Sequence, residues 1–256
     1  MRYRLELEYD GTRYRGWQSQ PGQRTVQAEL QSAAGRVAGK PPGDLQGAGR
    51  TDAGVHALAQ VAHLDLDVRL TSDALRYRLN DALPADIVVT SAAPAARNFH
   101  ARHDAIARRY LYQIARRPSA FGKKLVWWVK DPLDLSTMQQ AARLFPGMRD
   151  MRAFCADPEA PNTRVEIRSL ELAEAGQLIL VRIEASHFLW KMVRQIVGVL
   201  AEVGRGRMQS SEVQSFLDHP SRRPAELTAP PSGLFLERVL YGTEPGGPLE
   251  PVLRVG

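Results

Sequence analysis

Tyr3, Leu5, Leu7 and Tyr9 alternate without a break with Arg2, Arg4, Glu6, Glu8 and Asp10. A period of two puts the two sets on opposite faces of an extended chain, so the N-terminus predicts a strand with one buried and one wet face, closed by the turn Asp10-Gly11. The period then changes. Val26, Leu30, Ala33, Ala34 and Val37 have helical spacing behind Thr25 as N-cap, and Gly39 with Pro41-Pro42 closes that helix. A strand that must hide one face, followed at once by an amphipathic helix, commits the chain to a sheet with helices packed on it.

The rest of the sequence repeats the change of period. Leu64, Leu66 and Val68 alternate with Asp65 and Asp67 as a strand; a helix begins near Ser72, turns Leu75 and Leu79 inward and stops before Leu83-Pro84; residues 87–89 form a short strand. Residues 92–103 are rich in Ala, Pro and Arg without period, which marks a junction between folding units near residue 104. Tyr110, Tyr112 and Ile114 then alternate in a new strand, with at least one of the two tyrosines packed inward. A helix over about 136–145 carries Met138, Ala142 and Phe145 on one side, and residues 165–172 and 178–185 read as a hairpin around Glu174-Ala175-Gly176.

The longest helical stripe follows. It runs through Leu189, Met192, Val193, Ile196, Val199, Leu200 and Val203, with His187, Trp190, Lys191 and Arg194 on the opposite face and Gly204 at its end. Ser211-Glu212-Val213-Gln214 fits a capping box, and residues 234–241 read as a last strand after Pro230-Pro231-Ser232-Gly233. The expected organisation is an α+β fold of two related units, 1–104 and 105–243, with a peripheral tail over 244–256.

A chain of 256 residues with 44% hydrophobic content can bury one large core or two of ordinary size. Its net charge of +6 favours an anionic partner, and the dominance of arginine favours phosphate, so nucleic acid leads and an acidic membrane surface comes second. Neither end carries an apolar run long enough for a membrane span or signal peptide, which places the expected protein in the cytoplasm. The single cysteine, Cys155, excludes an intrachain disulfide and a cysteine-paired zinc site. His100 and His103 are the only suggestion of a metal site, and an Arg-rich setting reads better as surface or RNA contact; no metal is expected.

One loop stands apart. Gly47-Ala48-Gly49-Arg50-Thr51-Asp52-Ala53-Gly54-Val55-His56 sets one carboxylate among three glycines with Arg50 two places before it. In the plainest reading Asp52 merely caps its own turn. Two surfaces elsewhere suit nucleic acid: Trp190 with Lys191 and Arg194, which otherwise form the solvated side of an amphipathic helix, and Arg108-Arg109-Tyr110-Leu111-Tyr112. No serine elbow and no phosphate-binding Gly-x-x-x-x-Gly-Lys is present. What remains is a loop carboxylate with basic and aromatic surfaces, suited to covalent or electrostatic work on a nucleotide.

Residues 49–57, Gly-Arg-Thr-Asp-Ala-Gly-Val-His-Ala, resemble the active-site motif of the tRNA pseudouridine synthases of the TruA type. Further family segments follow in order: Glu8-Tyr9-Asp10-Gly11 with Gly16-Trp17-Gln18, Phe99-His100-Ala101-Arg102, Arg108-Arg109-Tyr110-Leu111-Tyr112, Met192-Val193-Arg194-Gln195-Ile196-Val197-Gly198, and Pro230-Pro231-Ser232-Gly233-Leu234. They span the chain to about Tyr241. The resemblance implies two α/β subdomains whose sheets join into one extended sheet with helices on one face. It implies isomerisation of uridine to pseudouridine at positions 38, 39 and 40 of the tRNA anticodon stem-loop, without metal or organic cofactor, by a homodimer whose subunits jointly form the RNA clefts.

Residue by residue, Asp52 matches the catalytic aspartate and nucleophile. Tyr110 matches the tyrosine that stacks on the target base and serves proton transfer, Arg194 the arginine that pairs with the aspartate, and Arg50 the arginine of base extrusion. His56, Lys191 and Leu234 join Arg50 and Tyr110 as expected substrate contacts. Trp190-Lys191 departs from relatives that carry histidine or tyrosine there. The chemistry accepts this set, because breaking the C1′–N1 bond leaves positive charge on the sugar, which a carboxylate can stabilise or capture. Addition of the carboxylate to the uracil ring and abstraction of a sugar proton are equally compatible with these residues. The readings that compete are a non-catalytic RNA-binding protein with two sheet modules and an N-glycosidase that releases free uracil.

Overall fold

The N-terminal alternation becomes a strand in the computed structural model, which describes residues 1–243 and 247–252. In chain order the elements are β1 (Arg2–Tyr9), α1 (Val26–Ala38), β2 (Leu45–Gly47), β3 (His56–Asp65), α2 (Ser72–Ala82), β4 (Ile87–Pro94), β5 (Ala107–Ala115), β6 (Trp127–Trp128), α3 (Leu135–Ala142), β7 (Gly147–Asp150), β8 (Arg164–Ala175), β9 (Leu178–Ala185), α4 (Met192–Gly204), α5 (Ser210–Asp218), α6 (Arg223–Glu226) and β10 (Leu234–Leu240). The fold is α+β, with mixed sheets and six α-helices among the described residues. Two units form, Met1–Ile106 with Phe235–Thr243, and Ala107–Leu234 with the described residues 247–252.

In the first unit β1 lies between β3 and β4, antiparallel to both, and β2 adds to β3. Tyr3, Leu5, Leu7 and Tyr9 are all buried, as the alternation requires. Thr25 caps α1 by accepting the Ala28 N–H, and Gly39 ends it at φ 72, a left-handed angle that glycine adopts without strain. Leu30 of α1 and Leu75 and Leu79 of α2 are fully buried, each worth roughly 1.5–3 kcal/mol against exposure.

In the second unit β9 lies between β5 and β8, antiparallel to both, with β7 beyond β8 and β6 parallel to β5. The hairpin of β8 and β9 turns at Gly176, φ 59. Every residue of β5 is buried, Tyr110 and Tyr112 included. A strand is buried throughout when both faces are covered. Here the chain end covers one of them: Leu249 packs on Leu111, Ala115, Val126, Leu178 and Leu180, and the Val252 N–H donates to Gln113 Oε1 at 2.7 Å.

Several expectations need correction. The strand sought at Leu64, Leu66 and Val68 starts eight residues earlier, at His56, and ends at Asp65. Residues 87–89 are only the start of β4. The long helix begins at Met192, so His187, Leu189, Trp190 and Lys191 precede it, and it is buried nearly all round rather than along one stripe. Lys191 sits at φ 60 and so cannot continue a helix toward Leu189. The helix near residue 211 is capped at Gln209, whose N–H donates to Glu212 Oε2 at 2.9 Å, rather than at Ser211.

The last strand, placed in the second unit by the sequence, pairs in parallel with β3 of the first, Phe235 opposite His56 and Leu236 opposite Ala57. The tail is not peripheral over 247–252: Arg182 donates to the carbonyls of Gly247 and Pro248, both at 2.8 Å. Residues 244–246 and 253–256 lie outside the described residues.

Candidate active site

Residues 48–55 connect β2 to β3, and their main chain is tied down at nearly every step. The Ala48 N–H donates to Val61 O at 2.7 Å, Gln60 Nε2 to Gly49 O at 2.9 Å, the Trp17 N–H to Thr51 O at 3.1 Å and the Val55 N–H to Asp52 O at 3.1 Å. Tyr9 Oη and Thr51 Oγ1 are 2.9 Å apart in the interior. Burial pushes the Tyr9 phenol up to about 12, against the opposing pull of its hydrogen bonds with Thr51 and Gln60, so it stays protonated. Asp52 is thereby presented half-buried from a fixed backbone, and Arg50 is exposed.

The glycines explain why two distant segments share this site. A Cβ on Gly11 would lie 1.9 Å from Val55 O, and one on Gly16, at φ 96, would lie 2.5 Å from Thr51 O. The turn after β1 thus fits against the carboxylate loop only without side chains. Within the loop, Gly47 makes room for the Trp17 indole, whereas Gly49 faces open space. Gly47 therefore serves packing, and Gly49 does not.

His56, expected among substrate contacts, is 2% exposed. Its ring stacks on Phe235 at 4.8 Å, and its Nδ1 accepts the Gly11 N–H at 3.1 Å, which puts the proton of the neutral ring on Nε2. Asp10 Oδ1 stands 3.1 Å from the same nitrogen, an ion pair when the ring is charged. This histidine braces the loop from beneath.

His100 Nδ1 accepts the N–H groups of Arg102 and His103, at 3.1 and 3.3 Å, so it organises its own turn. Burial, then the charges of His63 and His103, hold its pKa below the ordinary range. No group of three or more His, Cys, Asp or Glu side chains among the described residues is arranged to hold a metal ion.

In the second unit Tyr110 is 7% exposed and meets Phe188 edge-on at 4.9 Å. Arg109 beside it forks onto Glu184 Oε2 at 3.0 and 2.7 Å, and Arg108 donates to Ser186 O at 3.1 Å; neither is a free cationic surface. Arg194 projects from the first turn of α4, half-buried, and its Nε donates to Ala229 O at 2.7 Å while the Ala229 N–H returns to Arg194 O at 3.0 Å. One turn on, a Cβ at Gly198 would lie 1.7 Å from Leu227 O. Residues 227–229 therefore strap the helix where it carries the arginine.

Tyr112 Oη donates to Pro230 O at 2.8 Å, and burial pushes its phenol well above the ordinary range, with the charge of Arg194 acting the other way. Leu234 is buried at the start of β10. Lys191 Nζ lies 4.7 Å from the ring centroid of Trp190, which is 54% exposed.

Asp52, Arg50 and His56 thus share one loop of the first unit. In the second, Tyr112, Arg194 and residues 229–230 form one cluster, and Tyr110 is set in place by Phe188. The sequence reading missed Tyr9, Thr51 and Gln60 as the loop's supports and Gly198 as the seat of the strap. A glycine inside a strong helical stripe was the available signal for the last. No helix among the described residues is long and apolar enough to cross a membrane.

A family model described as tRNA pseudouridine synthase matches residues 7–104 and 141–242. The tRNA pseudouridine synthase A of Syntrophotalea carbinolica is 42% identical over 244 residues, which cover 94% of this chain and 96% of the relative. Those of Thermoanaerobacter sp. (strain X514) and Methylococcus capsulatus are each 40% identical, over 240 and 251 residues, covering 93% and 96% of this chain and 98% and 92% of the relatives.

Proposed function

Because this chain belongs to the tRNA pseudouridine synthase family, whose members are isomerases, we propose that it converts uridine to pseudouridine at positions 38, 39 and 40 of the tRNA anticodon stem-loop. In that reaction the C1′–N1 bond breaks, C1′ joins C5, the proton of C5 is removed and N1 gains one; composition is unchanged. Asp52 is the nucleophile, Tyr110 stacks on the base and serves proton transfer, and Arg194 is the cationic partner of the carboxylate. Arg50 and Lys191 contact the RNA. His56 and Leu234, both buried, act on the substrate through the backbone they position. The working form is a cytoplasmic homodimer.

The observation that carries the reading is the bracing of the Asp52 loop. A carboxylate that only capped a turn needs no buried Tyr9–Thr51 pair, no Gln60 bond to Gly49 and no two glycines fitted against its main chain. A reacting carboxylate does, because error in its position costs rate steeply. The target uridine must also leave its stack, and an exposed Arg50 two residues from Asp52 suits that step.

Position-resolved pseudouridine mapping on a tRNA transcript tests the assignment. Asp52→Asn keeps tRNA affinity and forms no pseudouridine; product formed by the asparagine variant at the wild-type rate refutes the role of Asp52. Release of free uracil by the wild type would point instead to glycosidase chemistry.

A further inference from the structure

Residues 116–126 join β5 to β6 within the second unit, in the stretch 105–140 that lies between the two parts of the family match. At their centre Phe121 is 96% exposed, the most exposed large apolar side chain of the described residues. A single exposed apolar residue is ordinary. Its setting is not. Residues 105–130 contain Arg108, Arg109, Arg116, Arg117, Lys123, Lys124 and Lys130 and no aspartate or glutamate. Arg109 and Arg116 are answered from neighbouring strands by Glu184 and Glu174. Arg117, Lys123 and Lys124 flank Phe121 and are exposed.

The loop is also built to hold its shape. Ser119 Oγ accepts the Gly122 N–H at 3.0 Å, and the Leu125 N–H donates to Gly122 O at 2.8 Å. Gln113 Nε2 reaches Leu125 O at 2.9 Å from the buried strand β5, and Ser232 Oγ reaches Val126 O at 3.1 Å. Val126 itself is core, packed with Leu111, Ala115, Leu178 and Leu180. The turn that carries the phenyl ring is fixed on folding, so binding has only the exposed side chain left to order.

We propose that this loop is a second RNA contact, in which Phe121 stacks on an unpaired base of the tRNA and Arg117, Lys123 and Lys124 take the adjoining phosphates. Aromatic stacking accepts any base, and the cations supply the backbone grip. A second copy of this chain is the poorer occupant, since a two-fold contact between identical loops would set like charges against one another. The inference rests on the reading of tRNA as substrate.

The test uses the full chain with a full-length tRNA transcript and with the isolated anticodon stem-loop. Phe121→Ala weakens binding of the RNA that reaches the loop by about 5-fold to about 150-fold, the effect of losing one stacked base. Phe121→Trp restores it. Lys123→Gln with Lys124→Gln lowers the slope of log affinity against log salt by about 1.5. Because these side chains are exposed, unfolding does not obscure the result, and thermal melts of each variant verify it. Affinity of Phe121→Ala within twofold of wild type for both RNAs overturns the inference, as does a change in sedimentation with tRNA affinity unaltered, which makes the loop a protein contact. A wild-type chain that binds tRNA and forms pseudouridine while Phe121→Ala is indistinguishable from it refutes the loop alone. A wild-type chain that neither binds tRNA nor forms pseudouridine refutes the proposed function and this inference together.

Discussion

Two helical glycines should respond to alanine with opposite signs. In a helix interior alanine is favoured over glycine by about 1 kcal/mol, so propensity alone predicts that both substitutions stabilise. At Gly35 in α1 the new Cβ meets nothing nearer than Lys40 O at 3.7 Å, ordinary contact, and the gain of about 0.5–1 kcal/mol stands. At Gly198 in α4 the Cβ falls 1.7 Å from Leu227 O and 2.7 Å from its carbonyl carbon, short of the 3.0 Å minimum by about 1.3 Å on the oxygen. The colliding atoms are main chain and cannot rotate away. Helix and strap must separate, which strains the paired bonds between Arg194 and Ala229, each worth roughly 0.5–1.5 kcal/mol net. The two strained bonds at roughly 1–3 kcal/mol together and overpacking at roughly 1–3 kcal/mol, less the propensity gain of about 1 kcal/mol, leave Gly198→Ala destabilised by about 1–5 kcal/mol, or roughly 2–20 °C in Tm for a chain of this size. Because the strap seats Arg194, single-turnover pseudouridine formation at a temperature where the variant is folded also falls, by about tenfold or more. Circular dichroism melts and a rapid-quench assay read the two effects. A Tm for Gly198→Ala equal to or above wild type refutes the argument.

Thr51→Val keeps the shape of the side chain and leaves the Tyr9 hydroxyl with one partner fewer in a buried site, costing about 1–2 kcal/mol; kcat falls with KM little changed, and a variant unaltered in both stability and kcat rejects Thr51 as a support of the loop. At acid pH, hydrogen bonding and charge from Arg2 hold the Asp65 carboxyl below its usual range. Hydrogen bonds from His63 and Gln46, with Arg2 adding charge, do the same for Asp44 against the opposing effect of burial. A depressed folded-state pKa contributes stability above the unfolded value near 3.9 and loses it as pH falls through the folded value. Arg2→Met therefore costs roughly 1 kcal/mol more at neutral pH than in acid that has protonated both carboxyls, discounted for the partly exposed carboxylates, while loss of the Arg2 bond to Phe99 O counts equally at every pH. Urea midpoints across that range check it, and a constant difference at every pH rejects the linkage.

The elements legible in the sequence were those whose burial follows a single period. β1 has one wet face, and its alternation marked it; Thr25 and Gly39 bounded α1 by local chemistry alone. β3 was misplaced because neighbours on both sides and cover on both faces leave it apolar or buried along most of its length, and only its last residues alternate. The start of α4 was misread because Lys191 takes a left-handed angle that nothing in its side chain announces. Burial of Arg108, Arg109 and both tyrosines of β5 depends on partners from Glu184 to Pro230, far along the chain and invisible to any local window. At the candidate site, Asp52 was singled out by a residue pattern that is long and specific, whereas its loop's supports Tyr9, Thr51 and Gln60 were hidden, since a buried hydrogen bond across the fold leaves no period.

The parallel pairing of β10 with β3 also dictates an order of events. His56 and Phe235 are neighbours in space but 179 residues apart in the chain, so the sheet that carries the Asp52 loop gains its final strand only after the intervening residues have been synthesised. During translation β3, already paired with β1 and β2, waits with its edge at His56 and Ala57 unpaired while the second unit's segments emerge, and the ring of His56 has no Phe235 to stack on. A chain stopped before residue 235 carries every proposed catalytic side chain but lacks the ring that stacks on His56, and the expected outcome is no activity until the last strand is made.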